Sequence, residues 1–121
     1  MTNIFNVRAR EAGREWAFDH PRAYGPMIDD AAPALNPVRR HFQDGANDVL
    51  QMISKLGKVF YRWEVTAEDG RKVGFTQTSD EALCEVKLWI KLIKQDGKKV
   101  LSHTIENQDG VITSGIFYRR P

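Results

Sequence analysis

Cysteine is nearly missing from this chain: Cys84 is the only one in 121 residues, so no intramolecular disulfide can form. That suits a reducing compartment. Long apolar runs are missing as well. Nothing approaches the 18 consecutive apolar residues of a membrane span, and the opening MTNIFNVRAREAGREW has no apolar core of a secretion signal. These lacks predict a cytoplasmic protein without membrane attachment. Histidine is sparse: His20, His41 and His103 stand far apart, with neither H-x-E nor H-E-x-x-H spacing. Cys84 has no CxxC partner, which favours a packing role over a nucleophilic one. No glycine pattern cradles a phosphate, so neither a metal nor a cofactor is expected. The acidic pairs Asp29–Asp30 and Asp44/Asp48 have no matching histidines and read as solvated carboxylates. Without an acid–base constellation, the expectation is a protein that is not an enzyme.

Net charge is also small, at +2, too little to imply nucleic acid on its own. The distribution says more. Residues 1–57 balance seven basic against seven acidic side chains, whereas residues 58–121 carry eleven and nine, five of the eleven between Lys87 and Lys99. The apolar fraction of 41% is enough to build a core.

The strongest local signal is TSDEALCEVKLWIKLIKQDG, Thr78 to Gly97. Thr78 and Glu81 form a T-x-x-E capping box, Asp80 and Glu81 suit the positive end of the helix dipole, and Asp96-Gly97 is a stop. At about 100° per residue, Ala82, Leu83, Val86, Trp89, Ile90 and Ile93 share one face, which predicts packing on a sheet. Cys84, Leu88 and Leu92 form a second stripe on roughly the opposite side. One sheet cannot bury both, so the second stripe predicts either packing by the N-terminal third or a protein interface. Lys87, Lys91, Lys94 and Lys98 follow helical spacing and border the apolar face, as a solvated flank or as contacts to nucleic acid or an acidic partner.

Ahead of this helix the chain reads as two helices. In residues 5–19, Phe5, Ala9, Ala12 and Trp16 recur with helical period until His20-Pro21. Residues 21–37 hold four prolines and read as a loop that Met27, Ile28 and Leu35 could pin to the core. Asn36-Pro37 then predicts a helix start, with asparagine as N-cap and proline in the first turn. Val38, Phe42, Gly45, Val49, Ile53 and Leu56 share its face until Gly57. Gly45 costs about 1 kcal/mol in a helix interior, which predicts close approach of another helix near Ala12 or Gly13.

From Lys58 the period changes to two. Val59, Tyr61, Trp63 and Val65 point one way, and Phe60, Arg62, Glu64 and Thr66 the other. Asp69-Gly70 marks a hairpin into Lys72–Thr78, with Val73 and Phe75 inward. Strands at Lys99–Glu106, where His103 alternates with Leu101 and Ile105, and at Val111–Arg119 complete the pattern. The expectation is an α+β fold: two N-terminal helices over 1–57, then a ββαββ four-stranded, mainly antiparallel sheet over 58–121 with a packed central helix, the whole forming one compact unit. Phe60 and Arg62 on one face, with Tyr118, Arg119 and Arg120 at the last strand, could stack bases and hold phosphates; cross-strand aromatic packing is the alternative.

Residues 9–49 resemble the ribosome modulation factor-like small proteins of bacteria and phages. Ala12-Gly13, Ala17, Asn36-Pro37, Arg39-Arg40, Phe42 and Gly45 occupy comparable places, with a longer spacer and Phe42 where the family has tryptophan. The resemblance implies two packed helices that present basic residues to ribosomal RNA. Three functions follow. One is a non-enzymatic binding protein that docks on a protein or ribonucleoprotein assembly, translation or nucleic-acid machinery among them. Another is an inhibitor or adaptor of the kind phages and other mobile elements encode. The third is a homo-oligomeric assembly protein, a homodimer for instance.

Overall fold

A computed structural model describes residues 4–116, with side chains described through residue 110. The class is α+β, as the periodicity predicts. The chain divides into two units, Met1–Lys55 and Leu56–Pro121.

The first unit is helical: α1 (Ile4–Asp19), α2 (Gly25–Ala31) and α3 (Val38–Ser54). Helix α1 packs antiparallel to α3 through small residues. Its buried positions are Ala9, Gly13 and Ala17, one every four residues. A Cβ at Gly13 would stand 2.0 Å from the Phe42 carbonyl oxygen, and one at Gly45 2.0 Å from that of Arg10. The two glycines therefore interlock the backbones. Phe42, Ala46, Val49 and Ile53 fill the rest of the seam, Trp16 lies 6.2 Å from Phe42 between ring centroids, and Arg10 pairs with Asp48 across it.

Several expectations for this unit need correction. Phe5 and Ala12 are exposed, so the buried face of α1 is rotated from the large apolar residues to the small ones. Residues 21–37 contain the short helix α2, started by Gly25-Pro26 and anchored by Ile28, which is 2% exposed. Met27 and Leu35 remain exposed and pin nothing. The cap of α3 is Pro37 without a side-chain bond, so Asn36 does not cap it. The lead-in to α3 is held instead by Arg39, whose guanidinium donates to the carbonyls of Ala32 and Pro33 at 3.4 and 3.2 Å.

The second unit is a four-stranded antiparallel sheet in the order β2-β1-β3-β4, from β1 (Tyr61–Ala67), β2 (Gly70–Thr76), β3 (Val100–Asn107) and β4 (Gly110–Ile116). Helix α4 (Ser79–Gln95) packs on one face. The core is Trp63, Val65 and Ala67 from β1, Ala82, Val86 and Ile93 from α4, and Val100 and Ile105 from β3, with Tyr61, Trp89 and Ile90 packed against it. Leu83, expected on the buried face of α4, stays 36% exposed at its margin.

Register decides what each strand shows the helix. Ala67 pairs with Gly70 around a two-residue turn, so Val65 pairs with Lys72 and Trp63 with Gly74. Lys72, Gly74 and Thr76 therefore share the helix side, and Val73 and Phe75 lie on the other, not inward as their hydrophobicity predicts. Gly74 has a definite use: a Cβ there would come within 2.4 Å of the Trp63 indole, which covers the glycine. Strand β1 begins at Tyr61, so the alternation does not reach Val59, which is 51% exposed.

Both ends of α4 are fixed by local chemistry. The Thr78 hydroxyl accepts from the Glu81 amide at 3.2 Å and donates to the Glu81 carboxylate at 2.9 Å. At the other end Gly97 takes φ +76°, its amide donates to the Lys94 carbonyl, and the Lys98 amide donates to the Ile93 carbonyl. That is a Schellman termination, and it aims Lys98 back toward the β1–β2 turn.

Candidate functional site

Helix α4 presents its Cys84, Leu88 and Leu92 stripe on the side away from the sheet. Leu88 is 49% and Leu92 40% exposed, and Cys84 is exposed too. Helical geometry places Lys87, Lys91 and Lys94 along one border of the stripe, and Glu85 and Asp96 along the other. Among the described residues Lys87 and Lys91 form no ion pair. Lys98 differs from the other lysines. It binds the Asp69 carboxylate at 2.5 Å, which holds Asp69 below the usual carboxylate range and raises Lys98 above the usual lysine range.

The aromatic and basic residues expected on the sheet do not form a stacking platform. Phe60 is 5% exposed and meets Phe75 edge-on at 5.9 Å. Arg62 is buried and donates to Glu64 at 2.7 Å and to Glu106 at 3.4 Å. Arg71 also donates to Glu64, at 2.9 Å, and the Thr66 hydroxyl reaches the same carboxylate. Two arginines and two glutamates thus form a cross-strand ladder with no net charge, on the face opposite α4. Its guanidinium groups are committed to internal carboxylates, which leaves little to attract phosphate. Tyr118, Arg119 and Arg120 lie outside the described residues.

A second feature adjoins the α4 stripe and shares Leu92 with it. It is a groove of about 280 Å³ between α4 and the β1–β2 hairpin, lined by Ala67, Lys72, Trp89, Leu92, Ile93 and Asp96 among others. Its apolar floor is Ala67, Ile93 and Trp89. The Asp69–Lys98 ion pair also lines it, backed by the Glu68 amide on the Lys99 carbonyl at 3.1 Å and the Lys99 amide on the Glu68 carboxylate at 3.1 Å. Lys72 rises from β2 with its ammonium 5.2 Å from the Trp89 ring centroid. Sequence reading missed this groove. Its signal lies in the hairpin register, which turns Lys72 toward the helix.

The remaining titratable residues are dispersed. His20 stacks on Trp16 at 4.4 Å, and its Nδ1 lies 2.8 Å from the Trp16 carbonyl oxygen. His41 is on α3 and His103 on β3, where it pairs with Val65. Asp29 accepts from Gln43 at 2.8 Å, and Asp44 lines a shallow opening beside it. Among the described residues no cluster of three His, Cys, Asp or Glu side chains could hold a metal. No helix among them is long and apolar enough to cross a membrane. Comparison with known protein families, with characterised proteins and with solved structures finds no match.

Proposed function

We propose that this chain is a small, cytoplasmic, non-enzymatic binding protein that docks on a macromolecular assembly through the outer face of α4. The observation that carries the reading is the exposure of Leu88 and Leu92 on one helix face, beside Lys87 and Lys91. Apolar side chains in a row at i and i+4 suit a protein surface, because their burial supplies affinity. The lysines along one border suit an acidic rim on the partner, which sets orientation and encounter rate. An inhibitor or adaptor would use the same surface. The likeness of residues 9–49 to ribosome modulation factor-like proteins puts the ribosome among the assemblies worth testing. Direct contact with nucleic acid has less support, since Phe60 is buried and Arg62 is paired with carboxylates.

The test is a native pull-down with mass spectrometry, with and without nuclease, comparing the natural chain with the Leu88→Glu/Leu92→Glu double variant. Both side chains are partly exposed, so circular dichroism should show the variant folded. A central interface pair of this kind is worth about 2 kcal/mol or more, so retention of a specific partner should fall at least about thirtyfold. Capture of the same proteins by both forms would overturn the reading. Loss of every captured protein on nuclease treatment would move the function to nucleic acid.

A further inference from the structure

Strand β2 is the outer strand of the sheet on one side, and among the described residues no strand pairs with its far edge. Such an edge offers backbone donors and acceptors to any strand that reaches it, a second copy of the same chain included. Proteins blunt edges by keeping them short, by proline, by a bulge, or by a charged side chain turned to the covered side of the sheet. The first three devices are missing from β2. It runs for seven residues, Gly70–Thr76, contains no proline, and keeps an unbroken register with β1. The face opposite α4 even favours pairing, since Val73 and Phe75 lie there half-buried.

Charge is the device that remains. Arg71 stands on the face opposite α4, where its guanidinium is bonded to Glu64. Lys72 stands on the α4 side, is exposed, and carries its ammonium 5.2 Å from the Trp89 ring centroid. Asp69 and Asp96 line the same groove, and Asp69 is held by Lys98. Symmetry makes the lysine decisive. Two copies joined by antiparallel β2 strands around a two-fold axis keep their helices on one side of the joint sheet. The register that pairs the whole of β2 sets Lys72 opposite Gly74 of the second copy. The two Lys72 residues are then diagonal neighbours on one face, about 7–8 Å apart. Each ammonium would lose water beside a like charge. A shift of two residues one way puts the two lysines directly opposite, and the same shift the other way leaves the first two residues of each strand without a partner.

We infer that Lys72 is an edge guard, which keeps a second copy of this chain from adding its β2 to the sheet. A β-branched side chain beside Trp89 would suit a strand better than lysine, so the charge is what this position supplies. The inference is independent of docking through the outer face of α4.

The test combines size-exclusion chromatography and light scattering with amide hydrogen exchange, on the full chain and on Lys72→Val and Lys72→Thr. Circular dichroism should show both variants folded, because Lys72 is exposed. Both should double in mass relative to the natural chain, with the β2 amides that face away from β1 newly protected. Two controls should keep the natural mass: Lys72→Arg, which retains the charge, and Lys91→Val, which removes an exposed lysine of α4. The inference is overturned if Lys72→Val and Lys72→Thr keep the natural mass, or if either control pairs as they do. Far-side β2 amides already protected in the natural chain would overturn it as well, because the edge would then be in use. A doubled mass without new protection in β2 would place the contact elsewhere and sink the guard.

Discussion

The two units solve packing by opposite means. In the helical unit, α1 and α3 meet backbone to backbone through Gly13 and Gly45, with alanines above and below. In the sheet unit, large side chains do the work: Trp63, Val86, Ile93 and Ile105 fill the space between α4 and the strands. The difference shows that one chain can specify tight packing either by removing side chains or by matching them. The removed kind is the less forgiving. A missing Cβ leaves no atoms that could rotate aside, and the neighbours of Gly13 and Gly45 are carbonyl oxygens.

The largest expected effect tests that asymmetry. Alanine at Gly13 or Gly45 should raise helix propensity by about 1 kcal/mol in isolation. Here the new Cβ would lie 2.0 Å from a backbone oxygen, so the helices must separate. Each substitution should destabilise the protein by about 3 kcal/mol, at the upper end for overpacking. Urea unfolding followed by far-ultraviolet circular dichroism measures it. A stabilised variant would show that the helices do not interlock there.

A smaller effect is expected from the same change in the sheet unit. At Gly74 the new Cβ would meet Trp63 at 2.4 Å, which is a ring and not a backbone. The indole can tilt, so Gly74→Ala should cost about 1 kcal/mol, near the low end for overpacking, and should shift the Trp63 fluorescence. An equal or larger loss than at Gly13 would erase the distinction between the units.

Legibility was mixed in both units. The cap, the stop and most of the apolar face of α4 could be read, Leu83 excepted, because they are strong local signals. The change of period at the strands could be read as well, and so could the need for a helix close to Gly45. The buried face of α1 was missed, since a hydrophobic count favours Phe5 over Gly13 and the seam selects for size. Val73 and Phe75 were placed on the wrong face, because their side depends on the pairing of Ala67 with Gly70, which hydrophobicity does not encode. Arg62 looked like a nucleic-acid contact. The carboxylates that neutralise it come from its own strand at Glu64 and from Glu106 on β3, a pairing visible only with the register in hand.

The smallest effect concerns the Asp69–Lys98 ion pair that lines the groove, a feature of the sheet unit in which pH should be felt. Asp69 is held below its ordinary value of 3.8 chiefly by the hydrogen bond from Lys98. Its contribution to stability is therefore full above that value and is lost as pH falls through the lowered one. Lys98 is raised above its ordinary 10.5 by the same bond. Its contribution is full below 10.5 and is lost as pH rises through the raised value. Between the two the pair should contribute a flat plateau, modest because both groups are solvent-exposed and screened by salt. Carbon-detected NMR of the Asp69 carboxyl should give a midpoint below 3.8, and Lys98→Met should return it to the ordinary range. Asp69→Asn should remove the acid-side loss and speed amide exchange at Lys99, whose neighbour Glu68 shares the turn. If the Asp69 midpoint stays put in Lys98→Met, the hairpin is not tied to the end of α4 through this pair.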